Sequence, residues 1–453
     1  MRAEQLSDQT VAATWTQPLQ APAKIPDAAD VVIIGGGIAG VSTAWFLAKQ
    51  GVNVVLCEKG HLAGEQSGRN WGWVRVQGRD TREIPMMLES LRIWDQLEEE
   101  TGEDVGFVRH GCYFTARSRK EMRAIDDWLG IADEYDIKSR VLSAAELNTH
   151  LGPSPVDWHG ALYTEADGRA EPHKAVPVIA RAAERAGATI LKSCAVRGLE
   201  TSGGAVSAVV TEHGTIRTST VLCAAGAWSA LFCRSLGIAL PQLRVRGTVA
   251  RTAACENVLD GNVFDKLLGI RRRQDGGYTI AHGTIVKHPI TPSTLRWSFK
   301  FIPALLQELK ELRLSIGKEF LDEWRQPKAW ALDEVTPFEE TRVLNPDPDA
   351  GVLRGIRKNL DKMFPQLAET PIVESWAGMI ETTPDVVPII SDIDSIPGFY
   401  IATGFSGHGF GLGPGAGKAT AGMLTGTDTG IDLAPLRYGR FFDGSPIRPQ
   451  SSI

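Results

Sequence analysis

Ten residues near the N-terminus, Val31-Val32-Ile33-Ile34-Gly35-Gly36-Gly37-Ile38-Ala39-Gly40, restrict this chain more than any others. Four β-prone apolar residues read as a short buried parallel strand, and the chain then turns through three glycines into a helix running to about Gln50. Gly35, Gly37 and Gly40 stand at G-x-G-x-x-G spacing. The first permits a tight turn, the second lets the backbone approach a pyrophosphate, and the third lets helix and strand pack closely. The helix start at Ile38 and Ala39 would offer free N–H groups and a positive dipole end to the phosphates. A second apolar strand, Val52 to Cys57, ends in Glu58, eighteen residues past Gly40. An acidic side chain there can accept hydrogen bonds from both ribose hydroxyls of an adenosine. The context predicts a dinucleotide site in an α/β domain.

With 453 residues the chain has material for two or three domains. Its net charge of −6 argues against nucleic acid or an anionic surface as the main partner. The six cysteines form no C-x-x-C pair and read as free thiols of a reducing cytoplasm, and no histidine stands at zinc-ligand spacing with a cysteine, so no metal is expected. Residues 1–26 are polar and Ala/Gln/Pro-rich, without the basic-then-apolar order of a secretory signal, and are expected to form a loose arm. No apolar run reaches the 18 residues or so of a membrane span.

Beyond Glu58, the loop from Lys59 to Trp73 is rich in glycine and hydrogen-bonding side chains and carries Trp71 and Trp73, which either cap a core or line a flat ligand. Ile84, Met87, Leu88, Leu91, Trp94 and Leu97 recur at helical spacing. Ser143 to Glu146 is a capping box, and His173 to Ala186 reads as a further helix. A strand meander near 189–217 leads into Val221-Leu222-Cys223-Ala224-Ala225-Gly226-Ala227-Trp228, a second place where backbone can approach a cofactor. Residues 242–340 look like a separate unit, with strands near 244–250 and 278–286 and a helix near 303–318. The last organised stretch is a strand entering the turn Gly404-Phe405-Ser406-Gly407-His408-Gly409, with a helix expected from about Pro414 to Leu424.

Taken in this order, the fingerprint, the Ala225-Gly226 strand end and the C-terminal glycine turn resemble the D-amino-acid-oxidase-like superfamily of FAD-dependent amine and amino-acid oxidoreductases, over about residues 28–430. Trp376-Ala-Gly-Met-Ile-Glu-Thr-Thr-Pro-Asp385, with Pro388-Ile-Ile390, looks like that family's W-x-G…T-P-D…P-I-I signature. The turn at Gly404 to Phe410 is similar to that of sarcosine oxidases. Ala63 to Ser67 and Cys194 to Thr201 resemble bacterial L-amino-acid deaminases, and Ser67-Gly68-Arg69-Asn70 resembles the loop of γ-glutamylputrescine oxidoreductases. The resemblance implies a Rossmann-type, glutathione-reductase-like FAD domain assembled from 27–80, 172–242 and 343–435. An interleaved antiparallel-sheet substrate domain would come from 81–171 and 243–342, and residues 436–453 would be a tail.

Carried over residue by residue, the resemblance implies that Gly35, Gly37, Ile38, Ala39 and Gly40 hold the pyrophosphate and Glu58 the ribose. Lys59, Gln66, Ser67, Arg69, Asn70, Trp71 and Gly72 would border pyrophosphate and ring. Val196 would contact the adenine, and Ala225, Gly226 and Trp228 would support the phosphate region. Gly404, Ser406, Gly407, His408 and Gly409 would lie by the ring edge. The family removes a hydride from the carbon bearing a neutral amine, and the imine hydrolyses in water. No protein base is obligatory, so His408 reads as a ring-edge or turn residue rather than a general base. Gly378 stands where some relatives carry a tethering cysteine, which implies non-covalent FAD. Gly411 and Gly283 stand where relatives carry a lysine and an arginine for the substrate carboxylate. Arg75, Arg79 and Arg273 are candidate replacements, or else ion-pair residues. Trp71, Trp73, Tyr278 and Trp297 are candidates for an aromatic cage. Lys287 or Lys300 is a candidate oxygen-activating cation, or simply solvated.

The sequence thus points to oxidative deamination of an amino acid or related amine, with oxygen or a membrane- or quinone-linked acceptor taking the electrons. Rival readings are an oxidoreductase for polyamine conjugates or N-alkyl amines, a NAD-dependent dehydrogenase, and a non-catalytic FAD-binding subunit. Oligomeric state is open.

Overall fold

A computed structural model of the chain describes residues 17–152, 154–308 and 312–450. The expected N-terminal arm therefore lies mostly outside the described residues. The elements that position the site are β1 (Val31–Ile34), α1 (Ile38–Lys49), β2 (Val54–Cys57), α2 (Ile84–Thr101), β3 (Val221–Cys223), β4 (Leu243–Thr252), α3 (Pro292–Glu308), β5 (Ile372–Thr382), β6 (Phe399–Thr403) and α4 (Gly409–Thr425).

One sheet has six strands in the order Ile389–Asp392, β6, β3, β1, β2, Thr189–Leu191. Its pairings are parallel except at the outer Ile389–Asp392 edge, which runs antiparallel to β6. Every residue of β1, β2 and β3 is buried, as continuous apolar runs require when helices or further chain cover both faces. The second large sheet has ten strands, most of them antiparallel neighbours, and includes β4. There β5 pairs with β4 over its whole length, Leu243 opposite Thr382 and Gly247 opposite Gly378. Although it falls within 343–435, β5 is thus hydrogen-bonded into the second sheet.

Two helices differ from the sequence expectation. The helix expected near 303–318 is α3, starting at Pro292, with Pro303 inside it, and residues 312–315 form a strand instead. Pro303 fits a helix start as well as an interior kink, which shifts the reading by a full element. The terminal helix begins at Gly409 rather than near Pro414. Glycine at 409, 411, 413, 415 and 417 gives that stretch poor helix propensity, so packing against α1 and α2 decides its conformation.

That packing depends on missing side chains. A Cβ on Gly413 would lie 2.6 Å from Ile38 Cγ1, and one on Gly415 2.9 Å from Ser90 Cβ. Pro414 has no N–H, and the distortion it brings is met from α2. Ser90 Oγ (2.6 Å) and Trp94 Nε1 (3.0 Å) both donate to the Gly411 carbonyl, and the Gly415 N–H donates to Ser90 Oγ (3.1 Å). A Cβ on Gly417 would overlap Ser42 Cβ and stand 2.7 Å from the Ser42 carbonyl carbon. Gly417→Ala should therefore destabilise the protein by about 1–3 kcal/mol, the usual range for overpacking, although alanine is the better helix former. Urea unfolding measures this, and a midpoint equal to or above wild type would refute it.

Candidate active site

The two sheets and α4 enclose a cavity of about 910 Å³, near the upper end of the roughly 300–1,000 Å³ of ligand sites. At one end lies the glycine turn. Gly35 has φ +111°, a value that favours glycine, and a Cβ there would stand 2.5 Å from the Ala224 carbonyl oxygen. Gly40 faces the Gly35 carbonyl, where any Cβ would overlap. The turn therefore delivers the α1 N-terminus to the cavity. Ser67 Oγ accepts the Ile38 N–H at 2.9 Å and closes the turn from the far side. Glu58 accepts the N–H groups of Gly36 and Gly60, both at 2.7 Å, and burial pushes its carboxyl above the usual range.

The floor is strapped by Glu65. Its carboxylate meets Lys59 Nζ (3.0 Å) and accepts Trp228 Nε1 (2.9 Å) and the Leu344 N–H (3.0 Å). Burial would raise this carboxyl, but Lys59 and these donors outweigh burial and hold it ionised below the usual range.

His408 caps α4 and lines the same cavity. Its Nδ1 lies 3.0 Å from Glu83 Oε2, and Glu83 is completely buried. Burial lowers the histidine below its usual value. For Glu83, burial acts upward, and His408, Arg79 and Arg75 together overcome it and hold the carboxyl low. Arg75 stacks over Phe114 (5.0 Å) and donates to the Gln77 carbonyl. Arg79 is 5% exposed and lines the cavity, its Nε donating to the Arg75 carbonyl (3.1 Å) while its buried Nη1 has no hydrogen-bond partner among the described residues. Burial pulls its guanidinium down to about 9. Asp167 accepts the Val76 (2.6 Å) and Gln77 (3.1 Å) N–H groups and so fixes the segment that carries Arg75. Burial pushes the Asp167 carboxyl up to about 6.

Most residues singled out from the sequence line this cavity, among them Glu58, Ser67, Val196, Trp228, Gly378, Ser406 and His408 together with Trp71, Trp73 and Arg75. Gly40, Gly72, Gly404 and Tyr278 do not. Gly40 acts from behind the turn. Gly72 (φ +78°) is a glycine because the Arg271 guanidinium would lie 2.6 Å from any Cβ. Gly404 (φ +75°) packs on Thr383. Tyr278 is no cage residue. It is fully buried in the second sheet, and its phenol oxygen accepts the Val258 (2.8 Å) and Leu259 (3.1 Å) N–H groups. Trp297 is half-buried on α3, away from the cavity, with Arg296 stacked over it (4.9 Å). Arg273 pairs with Asp275 (3.1 Å), Lys287 with Asp349, and Lys300 with the Phe441 carbonyl, so none of the three reaches the site.

Arg69 lines the cavity, yet its guanidinium binds protein: the Gly64 and Ala377 carbonyls (both 3.0 Å) and Asn345 Oδ1 (2.7 Å). The glycines in place of basic residues have a steric cause. A Cβ on Gly283 would overlap the Asp265 carbonyl, and one on Gly411 would press on the Trp73 carbonyl (3.2 Å) and Val74 Cα (3.3 Å). Sequence reading missed Glu83, Asp167, Phe114 and Glu381. Only Glu381 lay inside a recognised motif.

Trp71 and Trp73 meet edge to face (5.2 Å), and the Trp71 carbonyl accepts from Arg271 Nε. Arg271 is itself buried in a two-point pair with Glu171 (2.9 and 3.0 Å). Breaking such a pair strands a buried charge, so Arg271→Met should destabilise the protein by about 3–5 kcal/mol. Burial alone would raise the Glu171 carboxyl, and Arg271 overrides it and holds the group far below its ordinary value. The pair's contribution is thus fully present above the unfolded carboxylate range and is lost only in strong acid. Urea unfolding of both forms at neutral and acidic pH tests this. Equal stability at pH 7 would refute it.

Comparison with known proteins sharpens the site's chemistry. The family model described as FAD dependent oxidoreductase matches residues 30–423. The chain is 27% identical to mitochondrial sarcosine dehydrogenase of Mus musculus over 88% of its own length and 40% of the relative's, so it spans well under half of that protein. Glycine oxidase of Geobacillus kaustophilus is 25% identical, with 91% and 97% of the two chains covered. The solved L-amino acid deaminase of Proteus myxofaciens, in complex with anthranilate, superposes with a TM-score of 0.90 at 33% identity, covering 94% of this chain and 96% of that one. A glycine cradle closed by Ser67, a buried acid after β2 and a second glycine turn lining the same cavity suit the FAD that this match requires, and the chain belongs to the family of FAD-dependent oxidoreductases.

Proposed function

We propose that the chain oxidises the carbon–nitrogen bond of a carboxylated amine, an amino acid or an N-alkylated amino acid. The observation that carries this is the Arg79 Nη1 in the cavity wall, a buried cationic donor with no hydrogen-bond partner among the described residues. A buried donor left unmade is costly, and a substrate carboxylate is the group that satisfies it best. With Arg75 beside it, Arg79 replaces the basic positions that Gly283 and Gly411 exclude by sterics. The α1 N-terminus with Gly35 and Gly37 would hold the FAD diphosphate, Glu58 the ribose and Val196 the adenine side. The Gly404–Gly409 turn and the α4 N-terminus would face the electron-rich edge of the ring. FAD, when bound, accepts the hydride. Position 378 carries no thiol, which supports non-covalent attachment. With Glu83 ionised, Nδ1 of His408 carries the ring proton and Nε2 is an acceptor. His408 can thus take the proton that a substrate ammonium sheds before its carbon loses hydride. Trp71, Trp73 and Phe114 keep water from that carbon, and the imine released hydrolyses in solution.

This reading separates carboxylated amines from polyamine conjugates. Arg79→Met should raise the KM for sarcosine or an L-amino acid about ten- to hundredfold, the range of a charge-assisted hydrogen bond. Amines lacking the carboxylate should be unaffected. If the variant loses both substrate classes equally, or neither, Arg79 is no carboxylate anchor.

We also infer that the electron acceptor is membrane-linked, with the chain on the reducing, cytoplasmic side where six free cysteines persist. Among the described residues no helix is long and apolar enough to cross a membrane. However, Leu295, Phe299, Ile302 and Leu306 form an exposed apolar stripe along α3, with Ile316 and Trp324 exposed nearby in the chain, and Leu306 reaches the cavity lining. An exposed stripe of this length favours an apolar surface. Cosedimentation with phosphatidylethanolamine/phosphatidylglycerol vesicles should be lost in the Phe299→Asp/Trp324→Asp double variant while substrate still bleaches the flavin anaerobically. Wild type that stays in the supernatant would exclude it.

A further inference from the structure

Glu381 has no part in the chemistry above, and its surroundings are unusual for a carboxyl group. It lies near the end of β5, directly opposite Arg244 of β4, is 4% exposed and lines the cavity. Its partner is Gln66, whose Nε2 donates to Oε2, and the Phe405 N–H is turned toward it from the second glycine turn. Among the described residues no basic side chain forms an ion pair with it. Arg244, directly across the strand pair, feels the charge of Glu381 but is held by other groups: its Nε donates to the Ala227 carbonyl (2.9 Å) and its guanidinium stacks on Trp228 (5.3 Å). The other charged group facing it is the Glu65 carboxylate, which is ionised and already fully partnered.

A carboxylate in this place would be buried, unpaired, beside a second carboxylate, and in the same cavity as a cofactor with two phosphate charges. Each of these favours the neutral acid. Burial pushes the group up to about 7. Gln66 immediately precedes Ser67, which closes the glycine turn, and Phe405 belongs to the second glycine turn, so Glu381 meets both parts of the site. A neutral carboxylic acid there has an O–H to give.

We propose that Glu381 is a cofactor-binding residue that works as a neutral carboxylic acid, donating its proton in a hydrogen bond to FAD. FAD uptake then requires one proton on the protein. The direction follows from linkage. The proton is favoured in the bound state, so affinity is complete at pH values where the empty site is already protonated and declines as pH rises above that point. This rests on the FAD of the family and not on the choice of substrate.

Holoprotein diluted at pH 6 to 9, with released FAD read by its fluorescence, tests it. Wild-type affinity should fall about tenfold per pH unit above 7, approaching a hundredfold at pH 9. Glu381→Gln, a permanent neutral donor of similar shape, should bind FAD as wild type does at pH 6 and show no slope. A flat wild-type profile, or the same slope in Glu381→Gln, overturns the proposal. Should that variant fail to fold, infrared spectra of wild-type holoprotein labelled with 13C-glutamate decide. A labelled protonated-carboxyl band at pH 8 is expected, and its absence is fatal to the idea.

Discussion

The close approach of three backbones around the α1 N-terminus is the constraint from which the rest follows. β1 feeds α1 through a turn whose first and last glycines have no room for a Cβ, and α4 then lies against α1 through Gly413 and Gly417. Only because these positions lack side chains can the N-termini of α1 and α4 both open onto a single cavity. Helix dipoles are modest surface effects, but at a partly buried terminus they reach about 2 kcal/mol, and here two of them face one cavity. Steric economy in the backbone and electrostatics in the site are thus one design.

Around that frame, buried charges act as fasteners. Glu171 and Arg271 lock Trp71, Asp167 holds the segment bearing Arg75, and Glu65 ties the loop after β2 to Leu344. Asp385 of the T-P-D motif binds Arg440 (2.9 Å) and Arg82 (2.7 Å), joining the chain's last segment to the start of α2. Glu171, Glu65 and Asp385 are each paired with a cation, and Asp167 is held by two backbone N–H groups. Glu381 forms no ion pair among the described residues.

How much of this could be read from the sequence depended on range. The fingerprint, β2, α2 and the capping box at Ser143 are local patterns, and all are present where the residues place them. Pro303 and the glycines of α4 misled because their propensities oppose the conformation that tertiary packing imposes. The cavity wall was harder still. Arg79 and Glu83 come from the loop before α2, Asp167 from a turn some eighty residues on, and His408 from the far end of the chain, with no shared spacing. Tyr278 shows the converse error. Its aromatic ring on a strand suggested a cage, whereas its hydroxyl is consumed by two backbone N–H groups of a neighbouring loop.

The order of strands in the first sheet bears on how the protein comes into being. β3 follows β2 by about 170 residues, and β6 and α4 follow β3 by about 180 more. A ribosome-bound chain therefore exposes an incomplete parallel sheet, unable to close the cavity, until α4 has emerged. Cavity closure must wait for that helix, and until then the nascent polypeptide must rely on other means, such as chaperones, to keep those apolar strand edges from pairing with a neighbour.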